Sequence, residues 1–584
     1  MTDLTFAEID VPSLAARLRL SSCHPLTKGW SRDLKFCVTR DDQKLLLRLS
    51  PMYRVGSRME LFTLMQKISK LGIPICEPIE IGAFEHAYSL HSWLNGDDLE
   101  DVLLQLTSTE QYVLGLYAGQ YLKKIHSLAA PSSLESWGIR FGRKLNTRLQ
   151  KYHEAGVRFE GDEAIIAYIE QNRQLINDRP QCFQHGDYHV GNMMLVDNEL
   201  HIIDFDRFDY GDPWEEFNRI SWSAQLSPHF ATGQIRGYFG GEPPQDFFRL
   251  LALYMGSNTL GSIYWALDYD DQQLQVMLKQ AADTLAWFDN MQNPVPSWYL
   301  SHYYIQWQDG IPYQLHAPFD FSFLSDYGQV FHAFDQQGSG NISFGISKDN
   351  QRYFLKFAGA PCPNYIAHRD NGTIDPDSAI ALLKSAVSLY ENLAHPNLIN
   401  FISAKEVGKG FASLFAWSEA SSIAPYNSPA HRKFLNLPPE EKIKAFEDIL
   451  HFHAHVASKG YVALDFYDSS ILYDYNLHKV IICDIDLYQH SPFANTDGLG
   501  LVGSYRYVSP EEHIDDAILD EITNVYTMGA TAFSLFANGE RAPEAWPLNP
   551  RLYDVVRKAV SYDRMARQQS IEQLIVEWQE AKAN

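Results

Sequence analysis

The pattern of apolar and polar positions divides the chain into two stretches that run through the same order of elements. The first opens with the short apolar runs DLKFCVT and KLLLRLS, whose period of two predicts strands. Helical spacing follows in SRMELFTLMQKISKLG, and strand-like runs return in PIEIGAFEHAYSLHSWL. The remainder of this half is helix-rich, interrupted near residues 183–206 by short strands and polar loops. The second half repeats the sequence of events. QGSGNISFGIS and RYFLKFA predict strands and DSAIALLKSAVSLYENLA a helix; further strands follow, then helices interrupted near residues 461–487. Between the halves, NMQNPVPSWYLSHYY carries two prolines and loses helical spacing. This places a boundary near residue 297, with domains at 1–297 and 298–584. Each half reads as an α+β unit, a small antiparallel-sheet lobe above a larger helical lobe. The halves share little direct identity, so what repeats is architecture and not a short-period array.

One apolar stretch needs separate treatment. Residues 250–267 (LLALYMGSNTLGSIYWAL) carry no charge, but they include two Gly, two Ser, an Asn and a Thr. At eighteen residues the run is barely long enough to span a bilayer, and it predicts a buried helix or helix pair.

Composition narrows the classes of partner. The 584 residues suffice for two or more domains, and 45% apolar content suffices for their cores. A formal net charge of −24 disfavours nucleic acid and would draw cationic small molecules by its field. No membrane partner is expected. The six cysteines form no Cys-x-x-Cys pair, which argues against a disulfide scaffold or a zinc site. The opening MTDLTFAEID has acids where a secretory leader has a basic segment and an apolar run, so a cytoplasmic protein is expected.

The chemistry concentrates in FQHGDYHVGNMMLVDNELHIIDFDRFDYGDP. Asp187 and Asn192 stand five apart in a His- and Gly-rich loop. A strand (NMMLV), a turn at Asp197–Asn198 and a second strand (LHIIDFD) follow. Such a hairpin brings Asn192 and Asp204 to one end of two paired strands. One neutral and one charged oxygen ligand then suit Mg²⁺, which prefers few protein oxygens alongside phosphate oxygens. Asp187 is placed to accept the proton of a substrate hydroxyl, and together the three supply what phosphoryl transfer requires. Singly, each of these residues is also an ordinary turn former.

HGDxxxxN, a strand–turn–strand ending in DFD, and then GDPWEEF resemble the aminoglycoside phosphotransferase family, which includes macrolide, choline and homoserine kinases. The resemblance covers about residues 20–290 and implies a protein-kinase-like fold. It implies Asp187 as the base, Asn192 and Asp204 as Mg²⁺ ligands, and Asp206 as support for a second metal or for the loop. It further implies that Arg48 touches the nucleotide phosphates with Glu60 as its helix partner. Adenine would stack against the hinge Leu90–Leu94, which contains Ser92 and Trp93. Of the glycine-rich loop only Gly29 remains, which leaves ATP and GTP both open. The acceptor pocket would lie in residues 210–288, with Trp222, Tyr264, Trp265 and the acids Asp268, Asp270 and Asp271. Carboxylates beside aromatic faces suit a polycationic aminosugar; acids at a helix end can equally be simple caps.

The second half resembles the eukaryotic-type Ser/Thr protein kinase family over nearly all of 325–584. The resemblance rests on Gly338-Ser339-Gly340 with Phe344-Gly345, RYFLKFAG, NLAHPNLI, YVALDFYDSSILYDYNLHKVIICDIDLY, GSYRYVSPEE and NVYTMGATAFSLFANG. It implies nucleotide contacts from Gly338, Gly340 and Lys356, Asp465 as the catalytic-loop aspartate, and Asp484 as the metal ligand. Departures from the pattern are Ala463-Leu464 before the catalytic Asp, Ser470 at the second metal ligand, and Asp486 at the DFG glycine. The helix glutamate falls near Ala386, with Glu391 one turn too late, so Lys356 is expected to lack a fixed partner. A pseudokinase or weak kinase serving regulation, scaffolding or dimerisation is the resulting expectation, with two domains that simply bind separate ligands as the alternative.

The function expected is transfer of the γ-phosphoryl group of ATP or GTP, with Mg²⁺, to a hydroxyl of a small molecule such as an aminoglycoside or another antibiotic. Two alternatives stay open. One is a metabolic kinase for a sugar, amino alcohol or homoserine-like acceptor. The other is a signalling protein whose second half is an active Ser/Thr kinase with a protein partner.

Overall fold

The computed structural model describes residues 4–6, 9–27, 33–301, 303–337, 339–362, 375–426, 428–495 and 504–583. The chain divides into two compact units, Met1–His302 and Tyr303–Asn584. The division falls after the proline pair because the segment beyond the prolines is bonded back to the first unit. Arg236 Nη2 donates to the Ser301 carbonyl at 2.9 Å, and the Leu300 amide donates to Thr232 Oγ1 at 3.1 Å.

In the first unit, helix α1 (Val11–Leu18) precedes an antiparallel sheet of β1 (Ser22–Leu26), β2 (Leu34–Arg40), β3 (Gln43–Ser50), β4 (Pro78–Ala83) and β5 (Ala87–Ser92). Its spatial order is β1-β2-β3-β5-β4, and helix α2 (Val55–Ser69) connects β3 to β4. The period of two assigns the faces of the sheet. Phe36 and Val38 of β2 and Leu45, Leu47 and Leu49 of β3 are buried against Leu14 and Leu18 of α1. The opposite face therefore carries Lys35 and Arg48, which are partners in the β2–β3 register.

The helical part is organised by a close seam between Ser108–Ile125 and Pro228–Phe239. A Cβ added at Gly115, Gly119, Gly233 or Gly237 would stand 2.1–2.2 Å from a carbonyl oxygen of the facing helix. Only glycine admits that approach. All of the uncharged stretch but its last residue, Leu267, lies within one helix, Gln245–Ala266, mostly buried among its neighbours. No described helix is long and apolar enough to cross a membrane.

The second unit begins with a hairpin, Tyr304–Gln308 with Ile311–Leu315. Its five-stranded sheet consists of Gln329–Phe334, Asn341–Lys348, Gln351–Ala358, Phe401–Val407 and Gly410–Ala416, in the same spatial order as the first sheet. Helix Pro376–Asn392 occupies the position that α2 holds in the first unit, between the third and fourth strands. Helices Pro439–Ser458, Glu521–Ala537, Pro550–Ala559 and Ile571–Ala583 enclose a separate core with Phe446 and Trp578 buried in it.

Candidate active site

The hairpin that carries the metal-ligand candidates is Met193–Val196 paired with Glu199–Ile202. Asp197 and Asn198 connect the strands with φ of 49° and 65°. Both values lie in the left-handed region that a two-residue turn between twisted strands demands, and Asp and Asn tolerate it. Beyond the last pair, Met193 with Ile202, the Ile203 amide donates to the Asn192 carbonyl at 3.0 Å. Asn192 and Asp204 are thus brought to one end of the hairpin.

Each is fixed separately. Asn192 Nδ2 donates to the Asp187 carbonyl at 2.8 Å, so the group it can offer a cation is its amide oxygen. Asp204 has φ of 63°. Its buried Oδ1 has no hydrogen-bond partner, and Arg48 Nη1 lies 3.9 Å away.

The Asp187 loop hangs on three buried supports. His185 donates from Nε2 to the Ile203 carbonyl at 2.9 Å, and its Nδ1 faces the Asp187 amide at 3.3 Å, which fixes the tautomer. The Gly186 amide donates to Glu216 Oε1 at 2.8 Å, and Tyr188 donates its hydroxyl to the Ala118 carbonyl at 2.7 Å. Gly186 itself has φ of 86°, and a Cβ there would meet the Arg207 carbonyl at 1.9 Å. The Asp187 carboxylate is half-buried, with Arg219 Nε at 3.4 Å, Arg207 Nη1 at 3.6 Å and His189 Nε2 at 3.7 Å. Burial pushes the His189 ring down to about 4, so it is neutral at pH 7. The Trp222 ring adjoins His189 at 6.3 Å between centroids.

A cavity of about 180 Å³ opens between the sheet and the hairpin. Leu46, Met194 and Ile202 line its apolar part and Ser92 and Trp93 its rim, while Lys35, Arg48 and Asp204 supply charge. His91 also lines it. Burial and the nearby Arg48 hold this ring near 3, and it bonds Ser89 Oγ at 2.9 Å.

Arg48 does not pair with Glu60. On α2 the face toward the site carries Arg58, Leu61, Phe62 and Met65; Glu60 lies off that face, exposed, and bonds Tyr210. Arg48 bonds Asp206 instead, and Arg58 Nη1 donates to the other oxygen of Asp206 at 2.6 Å. Arg58 also reaches Asp33 Oδ2 at 3.2 Å, and Arg54 reaches Asp33 Oδ1 at 2.8 Å. Burial alone would raise the Asp206 carboxyl, but Arg48 and Arg58 overcome it and hold it well below the usual carboxylate range. The second acid of DFD therefore does the clamping that the sequence assigned to the helix glutamate. Sequence reasoning missed Asp33, Arg58, Arg207 and Arg219. The one available signal was two arginines a helical turn apart, Arg54 and Arg58, on a helix entering beside a sheet.

Asp268, Asp270 and Asp271 stand exposed at the junction of two helices. Asp270 caps helix Asp271–Trp287 by accepting the Gln273 amide at 2.8 Å, and Asp271 lies in its first turn. Among the described residues none of the three bonds the Asp187 loop. Capping accounts for Asp270 and favours a first-turn acid at Asp271. Gly29 and Gly338 lie outside the described residues; Gly340, with φ of 73°, immediately precedes the strand Asn341–Lys348.

In the second unit Lys356 is firmly partnered, contrary to expectation. Its Nζ bonds Asp484 Oδ1 and Asp486 Oδ2, each at 2.7 Å, and Tyr390 of helix Pro376–Asn392 donates to Asp486 Oδ1 at 2.9 Å. Burial opposes the charged amine, yet the two carboxylates raise its pKa. Asp486 thus supplies the partner that was expected from the helix, and Tyr390, one turn beyond the buried Ala386, braces it. The Cys483 amide donates to the Ser470 carbonyl at 3.0 Å, the counterpart of Ile203 and Asn192. Ser470 Oγ and Asp465 Oδ1 are buried without hydrogen-bond partners. Burial, with Asp484 and Glu512 nearby, pushes the Asp465 carboxyl up to about 7 against the pull of Lys356.

None of the curated proteins compared matches the chain. Among solved structures it is similar to a thermostable mutant of aminoglycoside phosphotransferase APH(4)-Ia, in a ternary complex with ADP and hygromycin B. That match has 19% identity and a TM-score of 0.36, over 47% of this chain and 97% of the other. The ADP-bound APH(2'')-Ib matches at 17% identity and a TM-score of 0.37, over 47% of this chain and 99% of the other. The gentamicin complex of APH(2'')-IIa matches at 17% identity and a TM-score of 0.38, over 48% and 97%. The model of the phosphotransferase enzyme family matches residues 22–253, so the first unit carries a domain of that family.

Proposed function

We propose that the first unit transfers the γ-phosphoryl group of a nucleoside triphosphate to a hydroxyl of a small molecule. The observation that carries this reading is the convergence of Asp187, Asn192 and Asp204, with a buried Asp204 oxygen that no protein donor satisfies. One amide and one carboxylate oxygen fit Mg²⁺, which keeps most of its shell for water and phosphate. Such an ion would neutralise charge on the triphosphate. Arg48 and Lys35, side by side on the cavity face of the sheet, suit the phosphates, and the apolar cavity above the hairpin suits a flat base. Asp187 accepts the proton of the acceptor hydroxyl.

Acceptor-dependent release of the nucleoside diphosphate tests the reading, with ATP and GTP compared. Asp187→Asn is expected to lower turnover by about 10²–10⁴ while triphosphate affinity persists. Asp204→Ala is expected to weaken metal-nucleotide binding as well as turnover. Near-normal single-turnover transfer by Asp187→Asn would refute the assignment of the base.

For the second unit the ordering of Lys356 by Asp484 and Asp486 favours a nucleotide-binding site of its own over an inert scaffold. Kinase-like architecture and Asp465 as its proton acceptor belong to this reading.

A further inference from the structure

A group that takes the proton of an acceptor hydroxyl must touch the acceptor, so the residues around the Asp187 carboxylate surround the acceptor as well. That surround is basic in a chain whose net charge is −24. Arg219 and Arg207 stand 3.4 and 3.6 Å from the Asp187 oxygens. Arg148, on helix Trp137–Ala155, has the Glu215 carboxylate as its strongest charged neighbour and feels the like charge of Arg219 more weakly. Its Nη1 donates to Ser257 Oγ at 2.9 Å. Burial lowers the pKa of Arg148, though a guanidinium remains charged at any physiological pH. Glu215 also pairs with Lys144 at 3.4 Å and accepts from Gln184 Nε2 at 3.3 Å, while Glu216 accepts the Gly186 amide at 2.8 Å. At the Asp187 carboxylate, two guanidiniums (Arg207 and Arg219) thus share one carboxylate. Like charges gathered in a half-buried site are costly unless an anion joins them.

Resting on the reading of Asp187 as the base, we infer that the acceptor of the first unit carries an anionic group, a carboxylate or a phosphate, seated by Arg219 and Arg207. A guanidinium fork fits the planar carboxylate and the phosphate equally well. In the transfer, the acceptor O–H gives its proton to Asp187 and its oxygen forms the new bond to the γ-phosphorus. The bond from that phosphorus to the β–γ bridging oxygen breaks, and its electron pair leaves with the nucleoside diphosphate.

The test holds the hydroxyl scaffold constant and varies only charge. Glycerol, glycerate, glycerol phosphate and 3-amino-1,2-propanediol, and likewise glucose, glucuronate, glucose 6-phosphate and glucosamine, are titrated into the full chain loaded with Mg²⁺ and ADP. The same compounds are assayed with ATP for ADP release. The anionic members should bind at least tenfold more tightly than their neutral counterparts, and the amines most weakly. Higher salt should narrow the gap. Arg219→Gln and Arg207→Gln should each weaken the preference, chiefly by raising KM, and Arg219→Lys should restore part of it should the glutamine variant fold poorly. Carboxylate and phosphate members distinguish the two sources of anionic charge. Equal or tighter binding of the amines, or no charge preference in any member, overturns the inference. So does a uniform loss of kcat for all acceptors in Arg219→Gln with the charge ranking intact, because that would place Arg219 on the transferred phosphoryl group. If instead Asp187→Asn leaves turnover unchanged, the phosphotransfer reading fails, and the affinity ranking with ADP loaded still reports on the basic cluster.

Discussion

Asp206 and Asp486 show how one side chain can take over a task from a distant element. In both units the acid two residues beyond the metal-ligand candidate bonds the cation of the third strand. What could be read from sequence was the local part. Asp187, Asn192 and Asp204 are held together by a five-residue spacing and a two-residue turn, and both are short-range geometry. The clamp was not readable, because Arg58 and Asp206 meet across 148 positions and their meeting depends on which face α2 turns to the sheet. The reassignment has a direct check. Arg58→Gln leaves Asp206 and Asp33 short of a buried cation and should cost about 3–5 kcal/mol, the range for breaking a buried pair. Glu60→Gln, at an exposed position, should change stability by less than about 0.5–1 kcal/mol. Chemical unfolding of the two variants distinguishes them, and a larger loss in Glu60→Gln would reinstate the glutamate as the clamp.

At the scale of elements, the glycine seam sets the position of the Asp187 loop. Helix Ser108–Ile125 can approach Pro228–Phe239 closely only because Gly115, Gly119, Gly233 and Gly237 carry no Cβ, and the Tyr188 hydroxyl bonds the carbonyl of Ala118, beside Gly119. The sequence shows these four glycines inside helical patterns, where glycine ordinarily weakens a helix. Nothing in the spacing says that two helices share them, since the match is made by the fold. Gly119→Ala should destabilise by about 1–3 kcal/mol through overpacking against backbone, and turnover should fall as Tyr188 loses its acceptor. Gly142→Ala offers the contrast. Gly142 is helical with nothing near its added Cβ, and the change should stabilise by about 0.5–1 kcal/mol. Thermal midpoints of the two variants should move in opposite directions; parallel shifts would remove the seam as the cause.

For the whole molecule, the two units present the same strand order and the same joint between hairpin and loop, although the residues at the joint differ: Asn192 in one, Ser470 in the other. Repetition of the order of elements was legible because hydrophobic periodicity survives where identity does not. The expectation that Lys356 lacks a partner failed because it looked for the partner on the helix alone. If the second unit holds a nucleotide independently, the full chain carrying Asp204→Ala should retain one Mg²⁺-dependent ATP or GTP site. Adding Lys356→Met should abolish it. Equilibrium dialysis reads the stoichiometry, and complete loss of binding in Asp204→Ala alone would leave the second unit without a site.

Tyr188 secures the Asp187 loop through a main-chain carbonyl, so the acceptor it uses is not encoded by the residue at 118. Drift in the identity of that residue cannot delete the bond, provided its bulk fits. Insertion or loss of one residue between Thr107, where the helix is capped, and Ala118 would rotate the carbonyl by about 100° away from the loop. The loop is therefore protected against point changes in chemistry at its anchor and exposed to changes in length, which makes helix length the heritable quantity on which the position of Asp187 depends.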